Sequence, residues 1–398
     1  MAGTMTGDRA AVATVATSPL AVDRLASIDV VRGLVMVLMA IDHVRVYSGL
    51  PAGGPTPGIF FTRWVTHFCA PAFVFFAGTS AFLAGRKQTS SELARYLVRR
   101  GAWLVLLELT VIRTAWTFNL DYAHYMLAGV IWMIGVCMIL LAGLVRLPTR
   151  AIATFGLIVI FAQNIVGLVA QTSPESWGWI WQFLYFGGVF RIGENGPFVA
   201  VLYSVVPWIG VMASGYAFGA IMVRESSERR RLCLRIGLSA TALFLVVGGL
   251  ALFLSPARTD APPALFRLLN QNKYPASQLF LLMTLGPVIA LLPLAEQARG
   301  RVSDVLTVFG RVPLFYYLLH IPLIHAAAVV VSFVREGRVN PWLFGNHPMM
   351  PPPVPDGYAW GLPLLYLVFG VVVAILYVPC RWFAHAKARR PDGWLQYL

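Results

Sequence analysis

Two apolar runs in the first quarter of the chain decide its solvent. SIDVVRGLVMVLMAIDHVR (27–45) and FFTRWVTHFCAPAFVFFAGTSAFLAG (60–85) are each long enough to cross a bilayer, which takes about 20 apolar residues as a helix. Further runs of similar length follow. A helix satisfies its own backbone hydrogen bonds in lipid, so the expected fold class is an all-α, polytopic helical membrane protein. Composition agrees: 58% of residues are hydrophobic and 12% charged, with a mean hydropathy of +0.71, whereas a soluble domain carries about 25% charged residues.

Ten transmembrane helices are expected, roughly at 29–49, 64–84, 97–117, 126–145, 151–170, 197–222, 236–255, 277–297, 308–333 and 360–380. The net charge of +14 could suggest a nucleic-acid partner. The charges sit between the apolar runs, however, as topology signals do, and no nucleic-acid partner is expected. With the amino terminus inside, 22 of the 31 Lys and Arg fall on the inner side, including Arg86, Lys87, Arg95, Arg99, Arg100 and Arg229–Arg231. Both termini are therefore expected in the cytoplasm. Residues 1–24 read as a disordered cytoplasmic tail, 25–383 as the membrane domain and 384–398 as a basic cytoplasmic tail. Cys69, Cys137, Cys233 and Cys380 lie in or beside the runs without metal-ligand spacing, and read as small apolar fillers. The loops 171–196, 256–276 and 334–358, expected outside, are longer than the inner ones. This suggests a substrate arriving from outside. No internal repeat of a transporter type is visible.

Ionisable residues at membrane depth cost roughly 2.5–3.5 kcal/mol each and are usually kept for function. Asp42 and His43 lie near the outer end of the first run. His43 could be a general base or an acyl acceptor, with Asp42 setting a histidine tautomer; the pair could instead cap the helix and contact Arg45 or Tyr47. His67 precedes Pro71 by four residues, and the carbonyl freed by the proline either opens room for a ligand or bonds the imidazole. His67 is expected to face the same cavity as His43. The ninth run, VFGRVPLFYYLLHIPLIH, places Tyr316, Tyr317, His320 and His325 in one polar stripe, which either lines a tunnel or bonds helices together. Glu108 is expected in an inter-helix ion pair, and Arg113 is a candidate for holding a substrate anion. Asp29 and Arg32 share a helix face at the inner end. With Arg311 they could form a phosphate-binding rim, because arginine donates two parallel bonds.

SIDVVRGLVMVLMAIDH and THFCAPAFVFFAGTSAFL resemble the catalytic domain of the heparan-α-glucosaminide N-acetyltransferase family, in its bacterial branch. KYPASQLFLLMTLGP (273–287) and FGRVPLFYYLLHIPLIH (309–325) are similar to later motifs of that branch. The resemblance implies a multi-pass enzyme of a bacterial plasma membrane. It would take an acyl group, typically acetyl, from cytosolic acyl-CoA as co-substrate and need no metal. The acceptor would be a glycan or small molecule, with an amine or hydroxyl, on the far side. A second copy of the chain is a candidate partner besides the bilayer. The family's histidine lies in the loop after the first motif; here residues 46–62 contain none, so His43 is expected to take its role. His43, Asp42, His67 and His320 are the expected catalytic group, and Arg32, Asp29 and Arg311 the expected donor site. Arg113, Lys273, Tyr274 and Tyr317 are expected to contact the acceptor. Two competing readings are an exporter of an amphiphilic solute and a haem- or quinone-binding redox protein.

Overall fold

The computed structural model describes residues 26–54, 56–255, 261–349 and 351–389. The expected amino-terminal tail, 1–24, lies outside them. About 75% of the described residues are helical. The helices are α1 (Ala26–Ser48), α2 (Pro57–Trp64), α3 (Cys69–Gly85), α4 (Ser90–Leu107), α5 (Arg113–Thr117), α6 (Val130–Leu144), α7 (Thr149–Gln171) and α8 (Gly178–Trp181). They continue as α9 (Val206–Met222), α10 (Ser226–Leu254), α11 (Ala264–Leu269), α12 (Gln278–Gln297), α13 (Arg301–Arg311), α14 (Pro313–Glu336), α15 (Trp342–Gly345) and α16 (Leu362–Arg389).

A helix occupies each of the ten expected runs. Among the described residues, six helical stretches are long and apolar enough to cross a membrane: 57–85, 149–171, 226–254, 278–297, 313–336 and 362–389. Helix α1 has the length but carries Asp29, Arg32, Asp42 and Arg45, while α6 and α9 are apolar but shorter.

The all-α expectation needs correcting at one end of the bundle. The residues expected to open the fourth and sixth spans are strands instead. Strand β1 (Tyr125–Ala128) runs parallel to β3 (Phe198–Val201), and β2 (Gly188–Arg191) runs antiparallel to it. Backbone groups of these connections pair with one another, which meets the same obligation a helix would. The ninth run is broken at Val312, whose ψ of 50° leaves the helical region just before Pro313. A proline disfavours helical geometry in the residue before it. At the carboxyl end α16 continues to Arg389, past the expected boundary at 383.

Glycines set the spacing of the bundle. A Cβ on Gly33 of α1 would lie 1.8 Å from the carbonyl oxygen of Leu306, and one on Gly310 of α13 equally close to that of Asp29. Gly78 and Gly215 do the same between α3 and α9, where a Cβ would meet a backbone oxygen at 2.0 Å. Gly101 faces Gly135 between α4 and α6, Gly156 faces Gly210 between α7 and α9, and Gly237 faces Gly286 between α10 and α12. Lipid tails are as apolar as leucine, so close backbone approach takes over the role that hydrophobicity plays in water. Helix α1 sits at the centre, packed on α3, α12, α13, α14 and α16. Helices α7 and α10 turn Phe161, Ile165, Val246 and Phe253 outwards.

Gly33→Ala is expected to destabilise the protein by about 1–3 kcal/mol, since the added methyl has no space and must push α13 away. Gly143→Ala, in α6 with nothing within 4 Å of the new methyl, should instead be neutral or slightly stabilising. Thermal unfolding of the two variants in detergent checks the contrast.

Candidate active site

Helices α1 and α14 bring His43 and His320 into direct contact. His43 Nδ1 and His320 Nε2 are 2.6 Å apart, and His320 Nδ1 is 2.7 Å from the carbonyl oxygen of Tyr317, one turn earlier on α14. That carbonyl can only accept, so His320 Nδ1 carries a proton. With the pair neutral, His320 Nε2 is bare and accepts from the Nδ1–H of His43. His43 Nε2 is then left with an unshared lone pair and no hydrogen-bond partner among the described residues. Trp116 stands edge-on to the His43 ring at 5.0 Å and Tyr317 at 6.4 Å. His320 is fully buried.

Beside His43 is a small cavity of about 40 Å³ lined by Met39, Asp42, His43, Cys69, Tyr203 and Lys273 among others. A larger cavity of about 300 Å³ lies next to it, lined by Arg63, His67, Asn270, Asn272, Lys273 and Tyr274 among others. Lys273 belongs to both. His67 therefore lines the neighbouring cavity, which corrects the expectation that it shares one with His43. The cause is local: Val65–Phe68 forms a tighter 3₁₀ turn between α2 and α3, which turns His67 against the edge of Phe280 at 5.6 Å. The Nδ1 atom of His67 is buried without a partner among the described residues.

Asp42 does not touch His43. Its carboxylate accepts a 2.8 Å bond from Arg45 Nε, and Arg45 also donates to the carbonyl of Leu50. Tyr274 approaches Tyr203 hydroxyl to hydroxyl at 3.5 Å, and the Lys273 ammonium lies 5.5 and 5.3 Å from the ring centres of Tyr203 and Tyr274. These cation–aromatic contacts hold the ammonium without neutralising it.

Asp29, Arg32 and Arg311 come together at the opposite end of α1. Arg32 lies 3.5 Å and Arg311 4.0 Å from Asp29, and Arg32 also donates to Ser80 Oγ and the carbonyl of Gly310. Arg32 thus ties α1, α3 and α13 together. The Arg311 side chain is 51% exposed.

Arg113, expected to hold a substrate anion, and Glu108, expected in an inter-helix ion pair, both have other partners. Arg113 is not at the site: its guanidinium is buried, donates to the carbonyls of Tyr125, Asn119 and Asp121, and lies over the ring of Tyr122, holding the loop 119–125. Glu108 forms no ion pair among the described residues. Its Oε2 accepts the backbone amides of Ile131 and Trp132, at 2.8 and 3.1 Å, and so caps the start of α6 from a neighbouring helix. A helix N-terminus carries the partial positive charge that a cation would otherwise supply. His325 is enclosed between Tyr47 and Phe118, with Nδ1 3.2 Å from the carbonyl of Ala115.

Residues 24–255 match the family profile described as heparan-alpha-glucosaminide N-acetyltransferase, catalytic. The chain belongs to that family. No curated protein matches it. The family is one of transmembrane acetyltransferases. Its matched stretch supplies His43, Asp42, Arg63 and His67. Lys273, Tyr317 and His320 lie beyond residue 255, so the remaining helices complete the site. Among the described residues no cluster of three or more His, Cys, Asp or Glu is placed to hold a metal ion.

Tyr203, Trp116 and Arg63 escaped the sequence reading. Tyr203 and Trp116 look like ordinary aromatic residues of apolar runs, and Arg63 looks like a topology charge. No spacing in the sequence marks them.

Glu108→Gln is expected to fold almost normally, because the amide oxygen can still accept from Ile131 and Trp132. Glu108→Ala should lose about 1–3 kcal/mol, leaving two buried amides unpaired. Detergent unfolding curves of both variants test the assignment.

Proposed function

We propose that the chain is a ten-span acyltransferase of a bacterial plasma membrane, with both termini in the cytoplasm. It moves an acetyl group from cytosolic acetyl-CoA to an amine or hydroxyl acceptor on the outer side. The observation carrying this reading is the His43–His320 pair, whose hydrogen bonds leave one imidazole nitrogen directed at chemistry rather than at structure. Family membership supplies the reaction class.

In the transfer, the acceptor nitrogen or oxygen bonds to the thioester carbon while the carbon–sulfur bond breaks. His43 Nε2 takes the proton the acceptor loses, and that proton ends on the departing thiolate. The same nitrogen could receive the acetyl group first and hand it on. In either course positive charge develops on His43, and the Nδ1–H bond to His320 spreads it while fixing the tautomer. A ring of aromatic side chains around the pair keeps the lone pair in one orientation. Arg311, with Asp29 and Arg32 behind it, is the candidate contact for the donor's phosphates on the cytosolic side, because its fork remains half exposed. Asp42 orients through Arg45, while Lys273 and Tyr274 receive the acceptor. A polar acceptor and a donor reaching from opposite faces would then meet near the outer third of α1.

His43→Ala is expected to lower acetyl transfer by at least about 100-fold, the span typical of a lost general base, with membrane expression intact. His320→Ala should retain part of the activity and shift its pH profile, since His43 keeps Nε2 but loses its tautomeric anchor. Radiolabelled acetyl-CoA supplied to inverted vesicles measures both; wild-type transfer by His43→Ala would reject the assignment.

A further inference from the structure

The charge balance around the two cavities is uneven. Within reach of Asp42 lie Arg45, Arg63 and Lys273, and this single carboxylate is already bonded to Arg45. Arg63 and Lys273 have no ion-pair partner among the described residues, and Lys273 is 8% exposed. Both line the larger cavity, and no Asp or Glu does. Burying a lysine ammonium without a counter-charge is costly unless something supplies one. Two residues lining the same cavity also hold buried polar atoms with no partner among the described residues, Trp64 Nε1 and His67 Nδ1. The other polar side chains lining it are Asn270, Gln271, Asn272 and Tyr274, groups suited to bonding hydroxyls. The cavity, at about 300 Å³, holds one small sugar-sized group.

We infer that this cavity is an anion subsite, in which Arg63 and Lys273 seat a carboxylate or phosphate carried by the acceptor. The inference rests on the acyltransferase reading for the identity of that molecule as acceptor. Because Lys273 lines both cavities, an acid group held there places the rest of the molecule at the opening toward His43. Arg63 lies within the family-matched residues and the segment Asn270–Tyr274 beyond them, so the subsite is assembled from both parts of the chain. The acceptor is accordingly an acidic sugar or similar hydroxylated acid rather than a neutral one.

The test uses the full-length protein in lipid nanodiscs and equilibrium binding of glucosamine 6-phosphate and glucuronate against glucosamine and glucose. The acid-bearing sugars should bind about tenfold or more tighter, as expected for a charged hydrogen bond retained or lost. That preference should weaken as salt is raised. Arg63→Gln and Lys273→Gln should each abolish the preference, read as the ratio of acid-sugar to neutral-sugar affinity. Arg63→Lys and Lys273→Arg, which keep the charge, should preserve part of it. Equal binding of acidic and neutral sugars, or a preference indifferent to salt, would overturn the inference even if the neutral variants fail to fold. A separate arm adds saturating CoA and inorganic phosphate. If CoA displaces the sugars and Arg63→Gln weakens acetyl-CoA binding instead, the subsite belongs to the donor's phosphates and the acceptor assignment fails. His43→Ala separates the two claims: it should keep acid-sugar binding while losing transfer. Absent transfer in the wild type rejects the acyltransferase reading, retained transfer in His43→Ala rejects only the role of His43, and absent acid-sugar preference in the wild type rejects the subsite.

Discussion

The close approach of α1 to its neighbours governs the rest of the molecule. Gly33 and Gly310 bring the backbones of α1 and α13 so near that any side chain at either position would collide with a carbonyl oxygen. Arg32 then reaches from α1 to Gly310 and Ser80, fixing the same junction with charge-assisted bonds. A helix rises 1.5 Å per residue, so His43 stands about 15 Å along α1 from Gly33. At that height a displacement of α1 by a single methyl's width would open the 2.6 Å contact between His43 and His320. Packing at one end of the helix therefore sets hydrogen-bond geometry at the other.

How far the sequence could be read depended on whether the cause was local. Helical runs are a local property, and each expected run holds a helix. The pairing of Asp29 with Arg32 and of Asp42 with Arg45 is likewise local, because residues three apart share a helix face. His43 with His320 was legible only as two unusual residues at similar depth; that they touch depends on α1 and α14 being neighbours. Glu108 shows the limit clearly. A buried carboxylate signals a partner, but the partner is two backbone amides at the start of α6, and amides carry no residue-type signature. Arg113 fails for a similar reason, since three of its five hydrogen bonds among the described residues go to backbone carbonyls. The strands were also illegible, because four-residue segments such as Tyr125–Ala128 merge into the apolar helix that follows.

The division of the site between matched and unmatched sequence bears on how the chemistry is organised. The nitrogen proposed to react stands on α1, inside residues 24–255, while the group that fixes its tautomer stands on α14, outside them. A reacting group and its orienting partner on separate helices must be aligned by packing rather than by spacing along one helix. This explains the density of aromatic contacts there: Trp116 and Tyr317 bound the His43 ring, and Tyr316 stacks on His320 at 5.3 Å. Rigid rings lose little rotamer freedom when packed and hold imidazoles in one orientation.

Lys273 owes its position to the start of α12. The Ser277 hydroxyl accepts from the amide of Phe280 as an N-cap, and the Ser277 amide donates to the carbonyl of Asn272. Lys273 and Ala276 bridge across the intervening turn. The ammonium is thus carried on a tight turn anchored to a long buried helix, not on a mobile loop. A lysine has four rotatable carbons in its stem and would normally wander, but its ammonium rests against the packed pair of rings of Tyr203 and Tyr274. Its charge stays at the junction of the two cavities, where it acts on whatever enters either one. A cation fixed between an open imidazole and the larger cavity is what the proposed anion subsite requires to discriminate by charge before any chemistry begins.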